Sequence, residues 1–324
     1  MSFQESFKQL LKELLKSAKI KDGTVDSILN SKKYMDLFER AFTHPSFEPD
    51  VEKNYETLET LGDLVMNMAI VNWTLKNKNI TNPDWLSKTK HKLIGERQLA
   101  SFAEKHGFYK FIKLSPMFRK NIDIQLVNFM EIPELFESFG EKLSKDDKNP
   151  IVQIVDYRKV LEDTFEAFCG ALQMVVNDRS GLVAGPGYAV CYEFISSLLE
   201  KLDFEWTLEE VSPPVTTLKE KIYDPQGWKF GEKNAMLIKE QDYFTKYDPE
   251  KNIKYFKVTF IIPGFPKDAD GNQMIPLVPY NPKLYVYGNK RGYLLETGYG
   301  TDKKQAKANA AKKSLESIKR VYGI

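Results

Sequence analysis

NYETLETLGDLV, from Asn54 to Val65, and RKVLEDTFEAFCGAL, from Arg158 to Leu172, are the two stretches on which the reading of this chain turns. In the first, Leu58, Leu61 and Val65, continued by Met68, recur at helical spacing. Glu59 and Asp63 stand four residues apart, and Glu56 precedes Glu59 by three. In the second, Asp163 and Glu166 are three apart, and Lys159 lies one turn before Asp163. Either spacing puts both carboxylates of a pair on one helix face. Carboxylates stacked like this repel each other unless cations neutralise them. If the two helices face one another, four hard oxygen donors converge, a set that suits Mg²⁺. Two such ions roughly 3.5–4 Å apart would activate a water and stabilise the leaving oxygen of a phosphodiester. The spacing alone also fits a solvated helix face opposite the leucines.

Outward from these stretches, residues 1 to about 206 read as almost entirely helical. Leu10, Leu11, Leu14 and Leu15 mark an amphipathic N-terminal helix. Ser87–Lys105, Asp156–Val176 and Tyr188–Leu202 continue the pattern. Residues 115–154 mix Pro133, Gly140 and a charged run and read as an insertion with some helix. Residues 207–214 contain EEVSPP and read as a linker. Residues 215–324 change texture: a short helix at Thr217–Ile222, strand-like runs at Tyr255–Ile262, Leu284–Tyr287 and Tyr293–Thr297, then an Ala/Lys helix at Lys303–Val321. A mainly α domain followed by a small α+β (α-β-β-β-α) domain is expected. A long stretch, residues 263–283, interrupts the second domain's sheet.

Composition closes off other classes. With 324 residues, 42% hydrophobic and 28% charged, the chain has ordinary globular material for two domains. Its charge-free stretches are too short for a membrane span, and the N-terminus lacks the apolar core of a signal peptide. Cys169 and Cys191 make no disulfide framework, so an intracellular protein is expected. The net charge of +2 conceals an asymmetry: from Lys283 onward ten Lys/Arg face only three Asp/Glu. A polyanionic partner for that tail and cations for the acidic remainder follow from it.

The particular residues carry more than the spacing. NYETLETLGDLV resembles the signature helix of the ribonuclease III family, usually written E-R-L-E-F-L-G-D, and RKVLEDTFEAFCGAL resembles its second motif. WLSKTKHKLIGERQLASFAEKHGF (Trp85–Phe108) is similar to the family's middle helices, and AFTHPSF (Ala41–Phe47) resembles its T-H-x-S loop. The resemblance implies an all-helical endonuclease domain whose catalytic, metal-binding acids are Glu59, Asp63, Asp163 and Glu166, with Glu56 as an accessory acid. Lys159 is expected either to hold the scissile phosphate or to pair with the acids. Thr57 stands where the signature has Arg, and Thr60 where it has Phe. His44 beside Ser46 reads as a loop cap rather than a nucleophilic pair.

At the C-terminus, Lys303, Lys304 and Lys307 cluster in the first turns of a helix, where cations oppose the helix dipole; a polyphosphate partner would compensate. Ala306, Ala310 and Ala311 form a small-residue face suited to packing on a sheet. The segment resembles the closing half of the double-stranded RNA-binding domain, which implies phosphate contacts by the three lysines. TTLKEKI (Thr216–Ile222) resembles that domain's opening helix, which implies contacts to 2′-hydroxyls from Lys219 and Glu220. Together the resemblances imply a homodimeric double-stranded-RNA endoribonuclease. It would use two Mg²⁺, with Mn²⁺ as a substitute, and leave 5′-phosphate and 3′-hydroxyl ends with a short 3′ overhang. The other reading is a protein that binds duplex RNA without cutting it.

Overall fold

The computed structural model describes residues 2–131, 155–202, 207–244, 252–287 and 290–323. They form two compact units, one of residues up to 124 and from 155 through 211, the other taking in residues 125–131 and those from 212 onward. What was expected of residues 132–154, the rest of the insertion, lies outside the described residues.

The first unit is helical. Helix α1 (Phe3–Ser17) opens with a capping box: Ser2 Oγ accepts the Glu5 N–H and Glu5 Oε2 accepts the Ser2 N–H. It buries Phe7, Leu10, Leu11, Leu14 and Leu15. Helices α2 (Asp22–Leu29) and α3 (Lys32–Ala41) lead to the long α4 (Glu56–Lys78). The run from Ser87 to Lys105 is not one helix: Gly95, at φ −52° and ψ 135°, separates α5 (Pro83–Ile94) from α6 (Glu96–Lys105). Helix α7 (Pro116–Glu131) opens the expected insertion, and α8 (Val155–Ser180) carries the second acidic stretch. Helix α9 (Pro186–Leu199) packs on both α4 and α8, and α3 and α6 pack on α8. Phe38, Phe108, Phe165, Phe168 and Phe194 fill the space between them, with ring centroids 5.5–6.0 Å apart. Full burial of each ring is worth about 1.5–3 kcal/mol. Within the expected linker, Leu208–Val211 form a helical turn, α10, that packs on α5 and buries Val211.

Two glycines set how closely α4 and α8 cross. A Cβ at Gly62 would stand 1.8 Å from the Glu166 carbonyl oxygen, and one at Gly170 would stand 2.2 Å from that of Leu58. No side chain fits at either point, so the helices meet backbone to backbone. One turn from each contact lie Glu59 on α4 and Glu166 on α8. The crossing therefore brings the two acidic faces together.

The second unit is the expected small α+β unit. Helix α11 (Pro214–Leu218) loosens into a wider turn over Lys219–Tyr223, closed by the Asp224 N–H on the Lys219 carbonyl at 2.9 Å. The sheet has four antiparallel strands in the order β1-β2-β4-β3: β1 (Met236–Phe244), β2 (Asn252–Ile262), β3 (Leu284–Tyr287) and β4 (Lys290–Gly300). The three runs expected from the sequence fall on β2, β3 and β4. β1 was not foreseen, and with it the three long strands are β1, β2 and β4, while β3 is a short edge strand.

Along β2, Val258, Phe260 and Ile262 face the helices and join Leu218, Tyr223 and Ile318 in one core. Helix α12 (Lys303–Tyr322) lays Ala306, Ala310 and Ala311 fully buried into that core. The stretch 263–283 is tied to the unit by hydrogen bonds and by Phe265 and Tyr280 packed against its core. Gln226 exchanges hydrogen bonds with the Lys267 backbone, and the Leu277 N–H donates to the Val321 carbonyl at 2.7 Å.

Candidate metal centre

The crossing of α4 and α8 gathers three carboxylates. Glu59, Asp163 and Glu166 each offer an oxygen within 4.8 Å of the others. Asp163 and Glu166 are 7% and 6% exposed, and Glu59 is partly buried. Asp63 does not join this group: its Oδ1 accepts from Asn67 Nδ2 at 2.7 Å. It remains near enough for its charge to act on Glu166. Glu56 sits on the exposed side, where its Oε2 accepts from Asn54 Nδ2 at 3.3 Å.

The electrostatics are those of a site short of positive charge. Burial first, and then the neighbouring acids Glu162, Asp63 and Asp163, push Glu166 up to about 9. Burial, followed by Asp163, pushes Glu59 up to about 7. Lys159 opposes both effects. Its ammonium lies 2.5 Å from Asp163 Oδ1 and 3.3 Å from Glu162 Oε2. Burial works against that charge, yet the contact with Asp163 outweighs it and holds the lysine above its ordinary value. Of the two roles expected for Lys159, the geometry displays the pairing with acids. The donor set, three hard oxygens within 4.8 Å of one another, two of them on carboxyls pushed above the usual carboxylate range, is one whose repulsion a divalent cation would relieve.

Sequence reading missed several supporting residues. Tyr55, buried just before α4, donates its hydroxyl to Asp163 Oδ2 at 3.1 Å. Burial, then the charges of Asp163 and Glu59, keep this phenol far above its ordinary value, so it stays a donor. Asn54 Oδ1 accepts the Glu56 N–H at 3.0 Å and starts the helix. Arg40, from α3, donates to the carbonyls of Asn54 and Val51 and to Thr57 Oγ1. A guanidinium thus reaches the start of α4 from another helix, at the point where the sequence carries Thr57 in place of arginine. His44 behaves as a loop cap, with Nδ1 accepting the Ser46 N–H at 2.9 Å.

In the second unit, Lys303 and Lys304 are exposed at the start of α12, which Asp302 caps by accepting the Gln305 N–H. Lys303 Nζ stands 5.9 Å from the Phe256 ring centroid. Lys307 is more enclosed and pairs with Glu232. Lys219 lies 3.8 Å from Asp224, and both it and Glu220 are exposed in the wide turn after α11. Among the described residues no helix is long and apolar enough to cross a membrane.

A helical unit whose two longest helices cross at glycines thus pools three carboxylates of the kind that hold divalent cations. Residues 35–127 match the family model described as Ribonuclease-III-like. A candidate ribonuclease 3 of Frog virus 3 (isolate Goorha) is 29% identical over 205 residues, covering 62% of this chain and 45% of the viral protein. A second candidate ribonuclease 3, from Invertebrate iridescent virus 6, is 22% identical over 336 residues, covering 99% of this chain and 89% of its own length. The nuclease domain of ribonuclease III from Campylobacter jejuni overlays 54% of this chain and 93% of its own at 22% identity and a TM-score of 0.37. The chain spans under half of the Frog virus 3 protein it matches. The first unit is thus similar to the ribonuclease III family, with the family model matching over residues 35–127.

Proposed function

We propose that the chain is a double-stranded-RNA endoribonuclease that works as a homodimer and uses Mg²⁺, with Mn²⁺ able to replace it. The observation that carries this reading is the meeting of Glu59, Asp163 and Glu166 from two helices far apart in sequence. These three would hold a first cation, and Asp63, one turn along α4 from Glu59, would contribute to a second. Glu56 adds negative charge at the rim. Bound magnesium supplies an activated water and charge stabilisation for phosphodiester hydrolysis. Lys159, already at the carboxylates, is placed to take up a non-bridging phosphate oxygen once cations neutralise the acids. The products are 5′-phosphate and 3′-hydroxyl ends, with a short 3′ overhang set by the spacing of two sites in the dimer.

The dimer surface is the outward face of α4. Thr60, Leu64 and Met68 follow one another every four residues, and Leu75 lies two turns further. Leu64 and Met68 are 64% and 49% exposed, unusual for large apolar side chains on a regular helix face. The second unit is a double-stranded RNA-binding domain. Lys303, Lys304 and Lys307 hold phosphates across the major groove, and Lys219 with Glu220 reach 2′-hydroxyls.

The test is incubation of a long RNA duplex with Mg²⁺, beside a Glu166→Gln variant. Magnesium-dependent fragments with 5′-phosphate ends, lost in the variant, are expected. Duplex binding without any cleavage by the unaltered chain would replace this reading with simple sequestration of RNA.

A further inference from the structure

We infer that Tyr55 is a positioning residue that sets the orientation of the Asp163 carboxylate for a divalent cation, and that the Thr43–Ser46 loop holds Tyr55 in place. The inference rests on the metal-dependent reading above and concerns this chain's own residues around that site.

Asp163 has a donor at each oxygen: Lys159 on Oδ1 and Tyr55 on Oδ2. The two differ in firmness. Lys159 is a long side chain, 53% exposed, whose contact is an ion pair that a metal would contest. Tyr55 is rigid and enclosed. Its N–H donates to the Thr43 carbonyl at 3.0 Å, and its own carbonyl accepts the Glu59 N–H at 2.9 Å. The same residue therefore fixes the first turn of α4, which bears Glu59, and an oxygen of Asp163 on α8. It registers one carboxylate against the other across the helix crossing.

The loop completes the support. His44 meets the Tyr55 ring edge-on, with centroids 5.5 Å apart, and lies stacked on Phe118 of α7 at 4.7 Å. Its ring cannot turn without breaking the bond from the Ser46 N–H, and Ser46 Oγ accepts the Ser115 N–H at 3.2 Å. A line of contacts thus runs from the start of α7 through His44 and Tyr55 to Asp163. The beginning of the 115–154 insertion is in this respect a part of the site's support. Hydrogen-bond partners of metal-binding groups orient them and tune their affinity.

The experiment is a titration of the full chain with Mn²⁺, followed by electron paramagnetic resonance, for the unaltered protein, Tyr55→Phe and His44→Leu. Tyr55→Phe keeps the ring and removes only the hydroxyl. It should weaken Mn²⁺ binding by about 10–100-fold, the usual consequence of losing such a partner. His44→Leu should weaken it less and in the same direction. RNA cleavage by Tyr55→Phe should fall at low Mg²⁺ and recover as Mg²⁺ is raised, while its melting temperature in EDTA stays near that of the unaltered chain. An affinity within about twofold of the unaltered protein would overturn the inference and leave the metal site standing. An unaltered chain that takes up no Mn²⁺ would instead overturn the metal-dependent reading, and the inference with it.

Discussion

Two glutamates carry most of the chemistry that can be tested at single residues. Replacing Glu166 by Gln keeps the shape of the site and removes a ligand charge. Cleavage should drop by about 100-fold or more, since even outer partners of such sites are worth 10–100-fold; a loss below threefold in a single-turnover assay would contradict the assignment. The same carboxyls tie stability to pH. Glu59 and Glu166 bind protons more tightly when folded, near 7 and 9, than at the ordinary value of 4.5. Their contribution to stability is therefore complete below about 4.5 and is lost as the pH rises through about 7 and then about 9. The metal-free chain should melt at progressively lower temperature between pH 6 and pH 9 by scanning calorimetry. Added Mg²⁺ should flatten that slope, and Glu166→Gln should reduce it. Metal affinity should climb over the same interval, because each ligand must shed its proton.

At the scale of elements, the decisive feature is the pair of glycines where α4 and α8 touch. Gly62→Ala or Gly170→Ala would force a methyl into a carbonyl oxygen across the contact. Each should destabilise the chain by about 3 kcal/mol or more in urea denaturation, at the upper end of overpacking costs. Each should also lower metal affinity by spreading the carboxylates. The letters G of LGD and of FCG are plain in the sequence, and their partners are not, because the two stretches lie about a hundred residues apart. The helices themselves were legible from leucine spacing and from the acid pairs. β1 was not: Lys239, Glu240 and Asp242 interrupt its apolar pattern, and only pairing with β2 along its length makes it a strand. Tyr55 and Arg40 escaped for a related reason. Their partners come from α8 and from the approach to α4, and no local pattern in the sequence announces a buried phenol aimed at a distant carboxylate.

For the whole molecule, the uneven charge of the chain gives the expectations. An acidic nuclease unit calls for divalent cations, and a basic closing helix calls for a polyanion. If Lys303 and Lys304 hold phosphates, changing either to Ala should weaken duplex binding regardless of sequence and reduce the slope of log affinity against log salt by about one. Lys307 should matter less at low salt, since Glu232 already occupies it. If α4 is the dimer surface, Leu64→Glu should shift the chain to a monomer in sedimentation experiments without unfolding it, and no shift would move the interface elsewhere.

A divalent cation held where α4 crosses α8 is tested most directly by anomalous diffraction from crystals soaked in Mn²⁺. A peak in contact with oxygens of Glu59, Asp163 and Glu166, absent from Glu166→Gln crystals, is the predicted result. A clean map at those three carboxylates, with manganese bound elsewhere or nowhere, would contradict it.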